Sequence, residues 1–259
     1  MISHDLIITT YNSYNYLNNI YLIIKENISL YTNIICIDDF SDENFYISLK
    51  EKLSEFTDLK LYRNNKNLGP SGARNCGINL SSSEYITFHD PDDIILKNRF
   101  FYLKKIIKEI RPNILFHGFS LSNKSHKFQI SNHVAIHNGF LYLFKSLYVT
   151  PAFTCKREIL NDVGGYDINI RYAEDLDLYI RLRRKFNFYF LRDEFVIVSN
   201  RLEKKGSIHL SGNYLFMRKS INKILIRNIL RLKTSSLIFF LALLANLIKT
   251  LREIIFLRS

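Results

Sequence analysis

Over the first 93 residues, short apolar runs rich in isoleucine alternate with longer segments of helical spacing, and each apolar run breaks off into polar residues. Residues 5–10 (DLIITT) and 33–37 (NIICI) bracket a stretch, 15–28, whose apolar positions recur every three to four residues. That order predicts strand, helix, strand. The pattern continues with a helix over 45–56, a strand over 59–62, a helix over 72–80 after a Gly-Pro-Ser-Gly turn, and a strand over 85–88. Strands that alternate with helices and are apolar on both faces predict a mostly parallel sheet covered on both sides. At 259 residues and 47% hydrophobic, the chain suits one catalytic domain with an appendage rather than two equal domains.

In open α/β sheets ligands bind beyond the carboxyl ends of the strands. Here those ends carry Thr9, Thr10 and Asn12, then Asp38 and Asp39, then residues 64–67 (NNKN), then Asp90, Asp92 and Asp93. Four strand ends thus bring polar groups to one edge. Past residue 93 a helix is expected over 99–110, a strand over 113–119, and a polar stretch over 121–138. A helix over 176–186 has acids before it and Arg181, Arg183, Arg184 and Lys185 towards its end, the order that the helix dipole favours.

Three carboxylates within four residues at 90–93 repel one another unless a cation sits among them, and hard oxygen ligands suit Mg2+ or Mn2+. The same Pro91-Asp92-Asp93 also suits a turn capping a helix that starts at Ile94. Glu174 and Asp175 are either acids at a helix N-terminus or reactive carboxylates. Gly72 and Arg74 lie in a segment able to contact phosphate before a helix, although it lacks both the P-loop Lys-Ser/Thr and the dinucleotide spacing.

The order of these pieces says more than any one of them. TTYN at 9–12, IDDFSDEN at 37–44, NKNLGPSGARNCGI at 65–78, EYITFHDPDD at 84–93 and GGYD…YAEDLDLYIRL at 164–182 resemble the successive motifs of inverting family 2 glycosyltransferases, over roughly residues 5–210. The resemblance implies a GT-A fold, with a Rossmann-like sheet and a C-terminal helical extension. It implies transfer of a sugar from a nucleotide-sugar, UDP-linked, to a hydroxyl of a glycan or lipid-linked glycan, as in bacterial capsule, O-antigen or lipooligosaccharide synthesis. Thr9, Tyr11, Asn12, Asp39, Gly72, Arg74 and Asp90 then fall at nucleotide-binding positions, Asp92 with Asp90 at the metal, and Asp175 at the catalytic base with Glu174 beside it. The chain departs from the family in three places. His89 replaces an apolar residue before the D-x-D and is expected in the core or behind the ligands. Phe40 replaces the glycine of a D-G-S turn, implying a less strained turn. Arg201-Leu202-Glu203 replaces an arginine followed two residues later by histidine, with His209 a weak substitute.

Of the net charge of +12, residues 201–259 carry +10, with twelve lysines and arginines against Glu203 and Glu253. A near-neutral body argues against a nucleic-acid surface. Within residues 221–257, Ile221, Leu225, Ile229 and Leu232 recur at helical spacing among basic residues. Such a segment can lie on an anionic membrane, or pack on its own domain or on a second copy in a homodimer. No apolar run reaches the roughly 18–20 residues that a spanning helix needs. The start, MISHDLIITTYN, reads as a strand rather than a signal peptide. Three cysteines without C-x-x-C spacing suit a reducing cytoplasm, and peripheral attachment to the inner face of the cytoplasmic membrane is the expected localisation. The expected organisation is a catalytic domain over 1–213, with nucleotide-binding and acceptor-side halves meeting near 93, and a basic helical tail over 214–259. A nucleotidylyltransferase would need a glycine-rich basic N-terminal loop, which TTYNSYNYL lacks. A catalytically inactive sugar-nucleotide binder would lack the need for Asp175.

Overall fold

The computed structural model describes residues 2–96, 98–121, 134–137, 140, 148–199, 214–231 and 236–256. The expected alternation is present as β1 (His4–Thr10), α1 (Leu17–Asn27), β2 (Asn33–Asp38), α2 (Glu43–Lys52), β3 (Lys60–Arg63), α3 (Gly69–Leu80) and β4 (Tyr85–His89). These strands lie in the order β3-β2-β1-β4, all parallel, with Ile7 beside Ile35 on one side and Phe88 on the other.

The consecutive apolar residues Leu6, Ile7 and Ile8 of β1 follow from its place in the middle of this sheet, covered on both faces. Leu6 and Ile8 point to one face, where they pack with Ile20, Ile23 and Ile24 of α1 and Phe45 and Leu49 of α2. Ile7 points to the other, into a second core with Ala73 and Ile78 of α3. A Cβ added at Gly77 would stand 2.5 Å from Cγ2 of Ile7, so the missing side chain is what lets α3 lie close on β1.

Beyond β4 the sheet changes character. The chain continues through β5 (Ile94–Ile95), α4 (Arg99–Ile110), β6 (Ile114–Leu121), β7 (Val134–His137), β8 (Phe153–Lys156), α5 (Arg157–Asp162), α6 (Glu174–Arg183) and β9 (Phe188–Val198). β8 inserts antiparallel between β4 and β6. β9 runs parallel to β6, and its two ends pair antiparallel with β7 and β5. The parallel arrangement expected from the first 93 residues therefore holds for the β3-β2-β1-β4 half, and a mixed half completes the sheet. Cys36 and Cys155 are buried and all three cysteines are unpaired.

The tail forms two helices, α7 (Tyr214–Arg231) and α8 (Ser236–Phe256). Ile224 and Leu225 of α7 and Phe239 of α8 are almost wholly buried in the same core as Leu178, Ile180 and Leu182 of α6. Ile221 and Ile229 pack against that core as well. Three of the four α7 positions expected at a membrane thus pack on the chain's own domain; the fourth, Leu232, lies outside the described residues. Within the tail, α7 exposes Leu215, Phe216, Ile226 and Leu230, and α8 exposes Leu237, Phe240, Leu241, Leu244, Leu247, Ile248 and Leu251, spaced along one helix face. Among the described residues, no helix is long and apolar enough to cross a membrane.

Candidate functional site

The loops after β1, β2 and β3 are tied together first. The Asn12 amide donates to Ser41 Oγ at 2.9 Å, and its side-chain oxygen accepts from the Asp42 amide at 2.9 Å. Asp38 accepts from the hydroxyl and the amide of Ser41 and faces Arg63 Nε at 3.3 Å. Asp39 Oδ1 accepts from Asn64 Nδ2 at 2.8 Å and from the Leu68 amide at 2.9 Å. Burial pushes both carboxyls up from their ordinary pKa, and these hydrogen bonds work against that shift. Thr9 is half-buried beside the buried Thr10, while Tyr11 is exposed.

Between Asp39 and Ser41, Phe40 has φ +63°. The relaxed turn expected from the loss of glycine is therefore not what forms. The Asp39 amide donates to the Thr10 carbonyl at 2.8 Å, and Ser41 is held by Asp38. These flanking bonds impose a left-handed residue whatever its side chain, and Arg63 lies over the Phe40 ring at 5.7 Å.

The Gly-Pro-Ser-Gly segment is not a turn before α3 but its first turn, with Pro70 where a missing amide hydrogen is tolerated. Gly72 and Arg74 are therefore helical. Arg74 is buried and donates from Nη2 to Asp90 Oδ1 at 3.0 Å and from Nη1 to Glu174 Oε1 at 2.7 Å, with its guanidinium 5.4 Å from the Tyr166 ring centre. Burial opposes its charge, but Asp90, the Tyr166 hydroxyl and Glu174 more than offset this and hold its pKa above the usual arginine value. One cation thus gathers the carboxylate at the end of β4 and the one that opens α6.

The remaining acids of the cluster are held from β9. Ser199 Oγ donates to Asp92 Oδ2 at 2.7 Å, and the Ser199 amide donates to Asp93 Oδ1 at 2.9 Å. The alternative of a capped helix starting at Ile94 does not hold, while the helix expected over 99–110 does. Ile94 and Ile95 pair with β9, α4 starts at Arg99, and Asp93 is fully buried instead of capping a helix. His89 lies in the core behind the cluster with Nε2 3.2 Å from the Asp93 carbonyl. Burial, reinforced by Arg99, pushes it down to about 3. The family-like position at Arg201-Leu202-Glu203 and His209 lie outside the described residues.

Asp175 stands in the first turn of α6, with Oδ1 2.7 Å from the Leu176 amide. The helix is entered through Ala173, which has φ +57°. Ahead of it, Asn75 of α3 clasps the backbone of Tyr166, donating to its carbonyl and accepting from its amide, both at 2.8 Å. A Cβ on Gly165, which has φ +63°, would meet Asn75 Oδ1 at 2.5 Å. Ser71 Oγ also donates to the Ile170 carbonyl at 3.1 Å. A cavity of about 190 Å³, lined by Asn67, Leu68, Ser71, Ile168 and Arg171 among others, opens between the start of α3 and this segment.

Arg74 therefore joins Asp90 to Glu174, with Asp92 two residues beyond the one and Asp175 next to the other. Among the described residues, no group of three or more histidine, cysteine or acidic side chains stands ready to hold a metal. Ser199, Asn75 and Tyr166 fasten these segments; the sequence singles out no role for Ser199, and Asn75 appears only as a member of the motif at 65–78. Tyr166 was visible only as part of the GGYD motif.

A family model described as Glycosyl transferase family 2 matches residues 5–176, and the chain belongs to that family. It is a glycosyltransferase with the GT-A fold. An uncharacterized glycosyltransferase of Rickettsia prowazekii is 25% identical over 223 residues, covering 82% of this chain and 67% of that one. The Escherichia coli UDP-Glc:alpha-D-GlcNAc-diphosphoundecaprenol beta-1,3-glucosyltransferase WfgD is 31% identical over 98 residues, covering 37% of each chain. S. aureus TarS 1-349 in complex with UDP-GlcNAc superposes with a TM-score of 0.67 at 17% identity, covering 95% of this chain and 72% of that one. The match to a longer TarS chain covers 41% of it. These solved structures share the fold.

Proposed function

We propose that the chain transfers a sugar from a UDP-linked donor to a hydroxyl of a glycan or lipid-linked glycan, with inversion, in the synthesis of a bacterial surface polysaccharide. The observation that carries this reading is the Arg74 bridge, which brings Asp90 and Glu174 together from positions 84 residues apart in sequence. The printed names of WfgD, which takes UDP-Glc, and of the TarS complexes with UDP and UDP-GlcNAc support a uridine donor.

In this reading Thr9, Tyr11, Asn12 and Asp39 receive the nucleoside, Gly72 and Arg74 line its phosphate side, and Asp90 serves the ribose. Asp175 accepts the proton of the acceptor hydroxyl as its oxygen bonds to the anomeric carbon, and the leaving nucleotide departs with the electron pair of the broken C–O bond. A carboxylate of ordinary strength suffices, since the hydroxyl becomes acidic only as the new bond forms. Asp92 and Asp90 fit Mg2+ or Mn2+ in donor type, with the remaining ligands to come from the donor diphosphate and water. Such an ion, when bound, offsets charge on the departing phosphate.

The test is a screen of nucleotide-sugars for turnover and thermal stabilisation, followed by Asp175→Asn. Turnover should fall about 1000-fold or more, within the range typical of general acid-base groups, while UDP affinity stays within twofold. Near-normal turnover in the variant would remove Asp175 from the base role. Stabilisation by GDP- or dTDP-sugars alone would overturn the uridine assignment.

The exposed face of α8 supports peripheral attachment to an anionic cytoplasmic membrane surface, with Lys249 exposed on the same helix. Leu244→Glu with Ile248→Glu should reduce co-sedimentation with phosphatidylglycerol vesicles at least fivefold and leave donor turnover in solution unchanged. Unchanged sedimentation, with a dimer that falls apart in the variant, would assign the face to a second copy instead.

A further inference from the structure

Asp177 lies in the first turn of α6, two residues beyond Asp175, and its side chain is 1% exposed. Two guanidiniums hold it. Arg181 Nε, from the next turn of the same helix, donates to Oδ2 at 2.9 Å, and Arg227 Nη2, from α7, donates to Oδ1. Arg227 also reaches back with Nη1 to Asp167 Oδ2 at 3.4 Å. Asp167 and Asp177 are the two ends of the segment that contains Ala173, Glu174 and Asp175, so one side chain from the tail closes that segment at its base.

The inner side of the segment is fastened by the catalytic domain itself. Asn75, Ser71 and Arg74 bind Tyr166, Ile170 and Glu174, and Arg181 donates to the carbonyls of Val163 and Gly165 at 2.6 and 2.7 Å. Asp175 follows the left-handed Ala173 and stands in the first turn of α6, with its Oδ1 2.7 Å from the Leu176 amide. Its backbone therefore moves with the first turn of α6. Arg227 in turn is set by its neighbours, since Ile224 and Leu225 are buried in the common core and the buried Asn228 accepts from Arg184 at the end of α6.

We infer that Arg227 is a positioning residue for the base: the tail helix α7, through Asp177 and Asp167, sets the position of Asp175, so that docking of the C-terminal helices is part of assembling the catalytic site. This rests on the reading of Asp175 as the base. The inference is specific to the tail and does not involve the nucleotide pocket. Reacting groups displaced by about 1 Å lose on the order of 100-fold in rate, which sets the scale of the effect.

The test compares Arg227→Met, Arg227→Lys and Arg218→Met in the full chain. Arg218 donates to Asn246 and links α7 to α8. The readouts are UDP affinity, kcat and KM for hydrolysis of the best donor from the screen, and hydrogen exchange over residues 167–177. Arg227→Met should lower kcat about 10- to 100-fold with KM and UDP affinity within twofold, and should speed exchange over 167–177. Arg227→Lys should recover part of kcat, and Arg218→Met should match the parent. The inference is overturned if Arg227→Met keeps kcat within twofold, or if Arg218→Met loses as much kcat as it does. Activity in Asp175→Asn would sink the base reading alone, whereas an inactive Asp175→Asn beside a fully active Arg227→Met would sink the tail's role alone.

Discussion

The acids that end β2 and those that open α6 are held over different sequence distances. In the parallel half, Asp38 and Asp39 are fixed by Ser41, Arg63, Asn64 and Leu68, none more than 29 residues away. In the mixed half, Glu174 is fixed by Arg74 at a separation of 100, the backbone of Tyr166 by Asn75 at 91, and Asp177 by Arg227 at 50. The proposed nucleotide side is thus a product of local strand-turn-helix units, while the proposed base side is assembled by side chains borrowed from elsewhere in the chain. Position of the base should therefore be easier to disturb than binding of the nucleotide.

The largest expected disturbance is at three buried histidines, two in the parallel half and one in the mixed half. His4 on β1, His89 on β4 and His117 on β6 are each pushed down to about 3, chiefly by burial, with Arg99 adding to the shift in all three. Each is neutral when folded but takes a proton near 6.5 when the chain unfolds. Their contribution is therefore complete above about pH 6.5 and is lost as pH falls towards 3, at about 1 kcal/mol per pH unit for each. Melting temperature should drop steeply between pH 7 and pH 5. A melt unchanged over that range would mean that these rings are not buried together.

Two glycine substitutions sharpen the contrast at about 1–3 kcal/mol each. Gly77→Ala pushes a methyl onto Ile7 and should lower the melting temperature while leaving the turnover of the folded fraction intact. Gly165→Ala pushes against the Asn75 clasp at a left-handed residue and should lower kcat at least tenfold with unchanged UDP affinity. The reverse pairing, rate lost at 77 and only stability at 165, would break the distinction between the halves. The smallest effect is expected at Phe40→Gly. It removes left-handed strain of about 1 kcal/mol but loses the Arg63 contact and adds chain entropy, so the melt should stay within a few degrees.

This division also explains what could be read from the sequence. β1 to β4, α4 and the four polar strand ends follow from apolar runs and helical spacing, which are local. β5 and β8 are two and four residues long, and β9 carries Arg192-Asp193-Glu194 in its middle, so none of them shows a strand period. Asp90, Asp92, Glu174 and Asp175 stand out because acids at element ends are conspicuous. Ser199 and Arg227 do not, because a serine, or a basic residue in a basic tail, acquires meaning only from a partner 50 to 107 residues distant. Phe40 shows the limit from the other side: its side chain argues for a relaxed turn, and the hydrogen bonds of its neighbours decide otherwise.

The Arg74 bridge also has a chronology. Its first partner, Asp90, leaves the ribosome 16 residues after it, but Glu174 follows 100 residues later. The interval between the two acids, 84 residues, is about 4 to 17 s at typical synthesis rates. Throughout it, the parallel half can close on its own core while the cation at its edge has only one of its two acids. The nascent chain therefore waits, with half of its active site drawn and the charge that will recruit the other half already in place.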